Sequence, residues 1–319
     1  MKVLIAGAGA IGGWLGARLA AHDVTLLGRP ALAEAVADGF HVTGHTTYDG
    51  PMKVITEPAG SYDAVFLTCK AHQTSALGAA VAPLVALDGV LATLQNGLGN
   101  GEKLARFLPA DRIAICLTSH GITAEAPGRL RHAGLGTTKV GPVHGTAWGP
   151  AAERAQALLT DAGLDPVACT DIRGHVWQKA IVNAGINPVA ALHGVPNGRL
   201  LEDPDLAALS TALVRESVAL AERARVDLPP GDLVDLTQQV CRATADNKCS
   251  MLQDVEAHRV TEIEQITGRM ARLGEMLLVP MQRSDFVYGR IKDLERSYLP
   301  EGESEWTAWE ELEYARFPV

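Results

Sequence analysis

The segment Gly7-Ala8-Gly9-Ala10-Ile11-Gly12 follows directly on the apolar run V-L-I-A of residues 3–6. This constrains the fold more than any other feature. The G-x-G-x-x-G spacing lets a buried strand turn sharply into a helix. The first glycine allows the turn, the second lets backbone approach a pyrophosphate, and the third lets the helix pack closely on the strand. The helix then presents free N–H groups and the positive end of its dipole to phosphate oxygens. A glycine-rich turn without a ligand is the plain alternative, because the chain holds 32 glycines. Position decides for a dinucleotide site: the motif stands between the first apolar run and a helix-like stretch.

The following pattern continues in kind. Short apolar runs at residues 24–27, 64–68, 90–94 and 113–118 read as buried strands, and residues 14–22, 72–87, 100–107 and 151–162 read as helices. Strands alternating with helices predict right-handed crossovers and a doubly wound, mostly parallel sheet. Beyond residue 173 the texture changes. Residues 175–192, 204–225, 232–246 and 250–278 all read as helices. The expectation is an α/β dinucleotide-binding domain over residues 1–170, an all-α domain over 171–299, and a separate tail over 300–319. The tail carries six Glu, one Arg, Trp306 and Trp309, with Leu312 continuing their helical spacing. It can pack on its own domain or bind a partner.

Composition narrows the partners. The net charge is -9, which disfavours nucleic acid and anionic membrane surfaces as partners. Five cysteines without a C-x-x-C pair argue against a disulfide framework and for a reducing, cytoplasmic setting. The ten histidines lack metal-site spacing, so no metal is expected. No stretch reaches the roughly 18 apolar residues of a membrane span. The N-terminus superficially resembles a signal peptide, but its glycines break the h-region.

NAD enzymes of this architecture place a carboxylate at the end of the second strand, on the ribose 2′-hydroxyl. Here that strand ends Gly28-Arg29. A guanidinium there suits a 2′-phosphate, so NADP(H) is expected. A merely solvated Arg29 is the alternative.

Lysine and asparagine are scarce: 8 Lys against 20 Arg, and 6 Asn. Yet Lys179, Asn183 and Asn187 stand at i, i+4 and i+8. Successive members are offset by about 40°, so all three share one side of a helix. Trp177, Ala180, Ile181, Val182, Ala184 and Ile186 around them are apolar. A narrow polar stripe in such surroundings points to an occupied cavity. A solvated stripe or a polar contact between domains is the alternative. Pro188 is expected to interrupt this helix. Asn96 and Lys70 follow strands whose carboxyl ends line the ligand crevice of a doubly wound sheet. Asn197 follows the stripe helix, and Asn247 and Ser250 precede a helix expected to carry Glu262. Asn100 reads as an N-cap.

These residues resemble the ketopantoate reductase (2-dehydropantoate 2-reductase) family over about residues 1–297. The matching segments are G-A-G-A-I-G at 7–12, C-K-A-H-Q at 69–73, Q-N-G at 95–97, W-Q-K-A-I-V-N-A-G-I-N-P at 177–188, P-N-G at 196–198, S-M-L-Q-D at 250–254 and T-E-I at 261–263. The resemblance implies an N-terminal Rossmann domain, a helical C-terminal domain and an active site in the cleft. It implies NADPH-dependent reduction of 2-dehydropantoate to (R)-pantoate, towards pantothenate. It makes Lys179 the general acid, and Asn183, Asn187, Asn197 and Ser250, with Asn247 beside it, substrate residues. Asn96 would touch cofactor and substrate. Gly7, Ala8, Gly9, Ala10, Ile11, Gly12, Lys70 and Gln73 would hold the cofactor, and Glu262 would stand near cofactor and reacting centre.

The chemistry fits these residue types. Charge builds on the C2 oxygen as hydride arrives, and an ammonium can stabilise and protonate it. Two features depart from the family's pattern, the acidic tail and Lys248-Cys249 before Ser250. A paralogue reducing another small 2-oxo acid therefore stays open, as does a non-catalytic NADP-binding regulatory module. A homodimer also stays open. If Arg29 reads a 2′-phosphate, KM for NADPH will lie well below that for NADH; a preference for NADH sinks the assignment.

Overall fold

The computed structural model describes residues 1–143, 145–300 and 302. The aromatic spacing of Trp306, Trp309 and Leu312 lies outside the described residues. The chain forms two compact units. One comprises Met1–Gln95 and Gly99–Ile172; the other comprises Asn96–Leu98 and the described residues from Arg173 onward.

The first unit is built on an eight-stranded sheet. Its strands are β1 (Lys2–Ala6), β2 (Asp23–Leu27), β5 (Lys53–Ile55), β6 (Tyr62–Leu67), β7 (Val85–Thr93), β8 (Ile113–Thr118), β11 (Thr138–Pro142) and β12 (Val167–Ala168). Their order is β12-β11-β8-β7-β6-β1-β2-β5. The six from β8 to β5 pair in parallel, and β11 runs antiparallel to β8. In β1, Val3, Leu4 and Ile5 are completely buried, each worth about 1.5–3 kcal/mol of burial. That two-sided burial explains why these runs are continuous rather than alternating. Helices α1 (Ala10–Arg18), α2 (Pro30–Ala35), α3 (Thr74–Val81), α4 (Asn100–Leu104) and α5 (Pro150–Asp161) accompany the sheet. Residues 85–87, expected to be helical, instead open β7, after a short 3-10 turn containing Pro83. Asn100 does not act as the cap expected of it. It lies inside α4, and its side-chain oxygen accepts from Thr74 Oγ1 at 3.0 Å.

A second sheet was not foreseen. Strands β3 (Phe40–Gly44), β4 (Tyr48–Gly50), β9 (Gly121–Ala126) and β10 (Arg129–Gly134) are ordered β4-β3-β10-β9. One of its inward positions is His132, which is polar but buried. Trp14 Nε1 and Arg18 donate to Thr46 Oγ1, and the Thr46 hydroxyl donates to His132 Nδ1 at 2.8 Å. Nε2 of His132 donates to Gly134 O at 3.1 Å. Such satisfaction is what makes a buried imidazole tolerable.

The second unit is helical. Its central helix α6 (Arg173–His193) packs against α8 (Pro204–Arg223), α9 (Leu233–Ala243), α10 (Ser250–Glu256) and α12 (Gln282–Arg296), while α7 (Arg199–Glu202) and α11 (Arg269–Leu277) complete the set. A Cβ at Gly185 would stand 2.6 Å from Val214 Cγ2, so α6 and α8 approach closely there. Pro188 does not interrupt α6; it is buried inside it. Proline removes one helical hydrogen bond, and the packed surroundings carry the helix past the defect.

The long helix expected over 250–278 is broken. α10 ends at Glu256, His258 adopts a left-handed φ of 50°, and a π-turn at Glu264–Gly268 leads into α11. The end of α10 is closed locally, the Arg259 N–H donating back to Asp254 O at 2.8 Å around the left-handed His258. The Thr261 N–H donates to Glu295 on α12 at 2.8 Å instead of to a helical carbonyl. Glu262 therefore stands on a connector just before the π-turn, not within a regular helix.

Gly7 has a φ of 107°, and a Cβ there would meet Cys69 N at 2.3 Å. Gly7→Ala should cost about 2 kcal/mol or more and lower Tm by about 5 °C or more in a thermal melt. An unchanged Tm would show that the turn relaxes.

Candidate functional site

In the first unit, the glycine loop leaves β1 and closes on its neighbours. The Gly7 and Ala8 N–H groups both donate to Leu27 O, and Thr68 Oγ1 donates to Gly7 O at 2.8 Å. A Cβ at Gly12 would stand 2.3 Å from Gly7 O and 2.4 Å from Thr68 Oγ1, so helix and strand touch there. Gly9 differs: none of the described residues lies within 4 Å of its Cβ position. It is also the N-cap of α1 and offers no side-chain cap. The first-turn N–H groups at Ala10, Ile11 and Gly12 have no intrahelical acceptor. Two glycines fixed by contact and one facing open space fit a loop that admits a phosphate group.

The sheet brings the rest of this set together. β2, β1 and β6 are adjacent and parallel, so the glycine loop, Arg29 and Lys70 lie at the same end. Arg29 is exposed and directly precedes α2. Lys70 is half-buried, and Gln73 is exposed at the end of the short turn Ala71–Gln73. Gln95 shapes this loop. Its Nε2 donates to Cys69 O at 3.1 Å and Thr74 Oγ1 at 2.9 Å, and its Oε1 accepts from Thr93 Oγ1 at 2.9 Å.

In the second unit, α6 presents Lys179, Asn183 and Asn187. The first two are half-buried and Asn187 is buried. Trp177, Ala180 and Ile181 flank the lysine and are at most 2% exposed. Burial pulls the Lys179 ammonium down to about 8, and the Glu262 carboxylate opposes that fall. A desolvated cation loses hydration, and a nearby anion restores part of that loss. Glu262 is itself buried, and Asn96 Nδ2 donates to its Oε2 at 3.2 Å.

The segment carrying Asn96 is seated on the π-turn. Leu98 N–H donates to Gln265 O at 3.2 Å. Gly97 has a φ of 87°, and a Cβ on it would lie 2.6 Å from that same oxygen. Thus Lys179, Glu262 and Asn96 form one electrostatic and hydrogen-bonded set. Asn197 is buried, its Nδ2 donates to Thr244 Oγ1 at 2.9 Å, and its Oδ1 meets no hydrogen-bond partner among the described residues. Its backbone N–H donates to Asn247 O at 3.0 Å. Asn247 and Ser250 are exposed.

Cys249, the unusual residue before Ser250, has a structural task. Its thiol donates to Asn187 O at 3.6 Å, and its sulfur accepts the Leu252 N–H to cap α10. Burial pushes that thiol up to about 11. Lys248 instead pairs with Glu256 at 2.6 Å on the surface.

Residues 3–145 match the family model for ketopantoate reductase PanE/ApbA, and residues 171–295 match that of its C-terminal domain. The chain belongs to the ketopantoate reductase family. The 2-dehydropantoate 2-reductase of Archaeoglobus fulgidus is 34% identical over 276 residues, covering 86% of this chain and 91% of the relative. That of Halobacterium salinarum is 35% identical over 278 residues, covering 84% and 90%. The crystal structure of 2-dehydropantoate 2-reductase from Geobacter metallireducens superposes with a TM-score of 0.85 at 27% identity, covering 92% of this chain and 99% of that one. Within this ketopantoate reductase fold, sequence reasoning missed Gln95 as the fastener of the 69–74 loop. It also missed Thr261, Lys292 and Glu295, whose contacts adjoin Glu262. The Q-N-G and T-E-I segments were usable signals for Gln95 and Thr261; no local signal marked Lys292 or Glu295.

Gly97→Ala should unseat Asn96 from the π-turn and lower kcat/KM by about tenfold or more, with the far-ultraviolet circular dichroism retained. Wild-type kinetics would show that the seat is dispensable.

Proposed function

We propose that this chain is a 2-dehydropantoate 2-reductase, an oxidoreductase that forms (R)-pantoate with NADPH. The observation that carries the reading is the half-buried Lys179, whose ammonium is lowered by desolvation and supported by the Glu262 carboxylate, on a helix face of neutral amides. Membership of the ketopantoate reductase family supports the substrate, a small 2-oxo acid. The exposed guanidinium of Arg29, with no carboxylate at the end of β2, supports a 2′-phosphate and hence NADP over NAD. The glycine loop and the N–H groups of α1 would hold the pyrophosphate, with Lys70 and Gln73 as further cofactor contacts. The cytoplasmic setting expected from the free cysteines stays part of this proposal.

When bound, the reduced nicotinamide supplies the hydride. The chain's own part is to orient the keto acid and deliver a proton. Lys179 Nζ donates to the C2 oxygen as negative charge gathers there. A pKa of about 8 leaves the amine largely protonated at neutral pH yet ready to release its proton, the condition under which general acid catalysis is efficient. Glu262 keeps the ammonium charged. Asn183 and Asn187 supply neutral donors that add no charge beside the lysine. The unpartnered carbonyl oxygen of Asn197 accepts a substrate hydroxyl. Asn247 and Ser250 take the carboxylate side, and Asn96 spans cofactor and substrate.

NADPH oxidation should occur with 2-dehydropantoate in preference to a panel of other 2-oxo acids. Turnover confined to another member would reassign the substrate, and tight NADPH binding without any turnover would refute the enzyme reading. Lys179→Ala should lower kcat by about two to four orders of magnitude. Because the protonated amine is the active form, reduction should be level below about pH 8 and fall above it. Retained activity in the variant, or no alkaline limb, removes Lys179 from the mechanism.

A further inference from the structure

Glu295 lies in the last turn of α12 and is wholly buried. Its Oε1 accepts the Thr261 N–H at 2.8 Å and the Thr261 hydroxyl at 2.7 Å. Its Oε2 accepts Lys292 Nζ at 2.8 Å, and Lys292 is 8% exposed. Thr261 Oγ1 in turn accepts the Ile263 N–H at 3.2 Å. The carboxylate therefore fixes the backbone on both sides of Glu262. Asn96 Nδ2 holds the Glu262 side chain from the other direction, and the π-turn begins two residues later.

Other groups around the clamp are paired among themselves. Asp254, 2% exposed, meets Arg259 at 3.1 Å. Tyr298 donates from its hydroxyl to Arg259 O at 3.1 Å, and burial, Glu295 and Asp254 together raise that phenol to about 12. A buried ion pair is an uneconomical source of stability, because hydrophobic replacements of similar volume are often as stable or more so. What an apolar pair would not supply here is an acceptor for the two Thr261 donors.

We propose that Glu295, neutralised by Lys292, is a positioning residue that sets the distance of the Glu262 carboxylate from Lys179. The inference rests on the reading of Lys179 as acid and Glu262 as its counter-ion. Releasing Thr261 lets Glu262 drift from the ammonium. The alkaline limb of reduction then moves to lower pH, since a Lys179 less well supported by its anion loses its proton sooner. Glu295 touches neither substrate nor cofactor in this scheme, so KM need not follow.

The test is the pH profile of kcat for wild type, Glu262→Gln, Glu295→Gln, the Glu262→Gln/Glu295→Gln double variant and the apolar pair Lys292→Met with Glu295→Leu. Melting temperatures are recorded alongside. Glu262→Gln should move the alkaline limb down. Glu295→Gln and the apolar pair should move it the same way by about half a pH unit or more, with KM for the keto acid within about twofold. The double variant should move no further than Glu262→Gln alone. Thr261→Val serves if Glu295→Gln does not fold, since it removes the hydroxyl donor at nearly constant shape. If Glu262→Gln moves the limb but the Glu295 variants only lower Tm, the positioning role is overturned and the acid–base reading stands. If Glu262→Gln leaves the limb in place, the reading of Lys179 and Glu262 fails, and the positioning role fails with it.

Discussion

The helical unit is organised around one desolvated cation. Burial pulls the Lys179 ammonium on α6 down, and a buried ammonium without a counter-charge gives up its proton. Glu262 is the group that opposes this. Around that carboxylate stand the break after α10, the π-turn, and the seating of residues 96–98 against Gln265. π-turns recur at functional sites because they redirect side chains without ending the helix. Here the π-turn begins two residues after Glu262.

The nucleotide side of the molecule depends on the opposite device, backbone without side chain. A Cβ on Gly7 or Gly12 would lie 2.3 Å from neighbouring backbone, whereas none of the described residues comes within 4 Å of the Cβ position of Gly9. The chain as a whole is acidic, but -5 of its -9 lies in residues 300–319. On the proposed reading, the glycine loop, Arg29 and Lys70 would present helix dipole and cationic groups to an anionic cofactor.

Much of this was legible in the residues. Runs such as Val3–Ala6 announced themselves because both faces of a parallel strand are buried. The Lys179, Asn183, Asn187 stripe was legible because helix periodicity places i, i+4 and i+8 on one side regardless of context. The second sheet was not, because its inward positions include His132, whose burial depends on a hydroxyl at Thr46, 86 residues away. Pro188 misled in the other direction. Its local cost argued for a break, and the packing around α6 overrode it.

The sequence by itself determined the elements whose causes are local: the glycine turn, the buried strands, the polar stripe and the absence of a carboxylate after β2. Only the tertiary structure decided where Glu262 stands and what supports it. Local pattern placed it on a long helix, but that helix ends at Glu256, and beyond the break the Thr261 N–H goes to Glu295, 34 residues on, rather than to a helical carbonyl. Backbone donors go to the best acceptor that folding brings near, and propensity within a segment carries no information about an acceptor supplied by another helix.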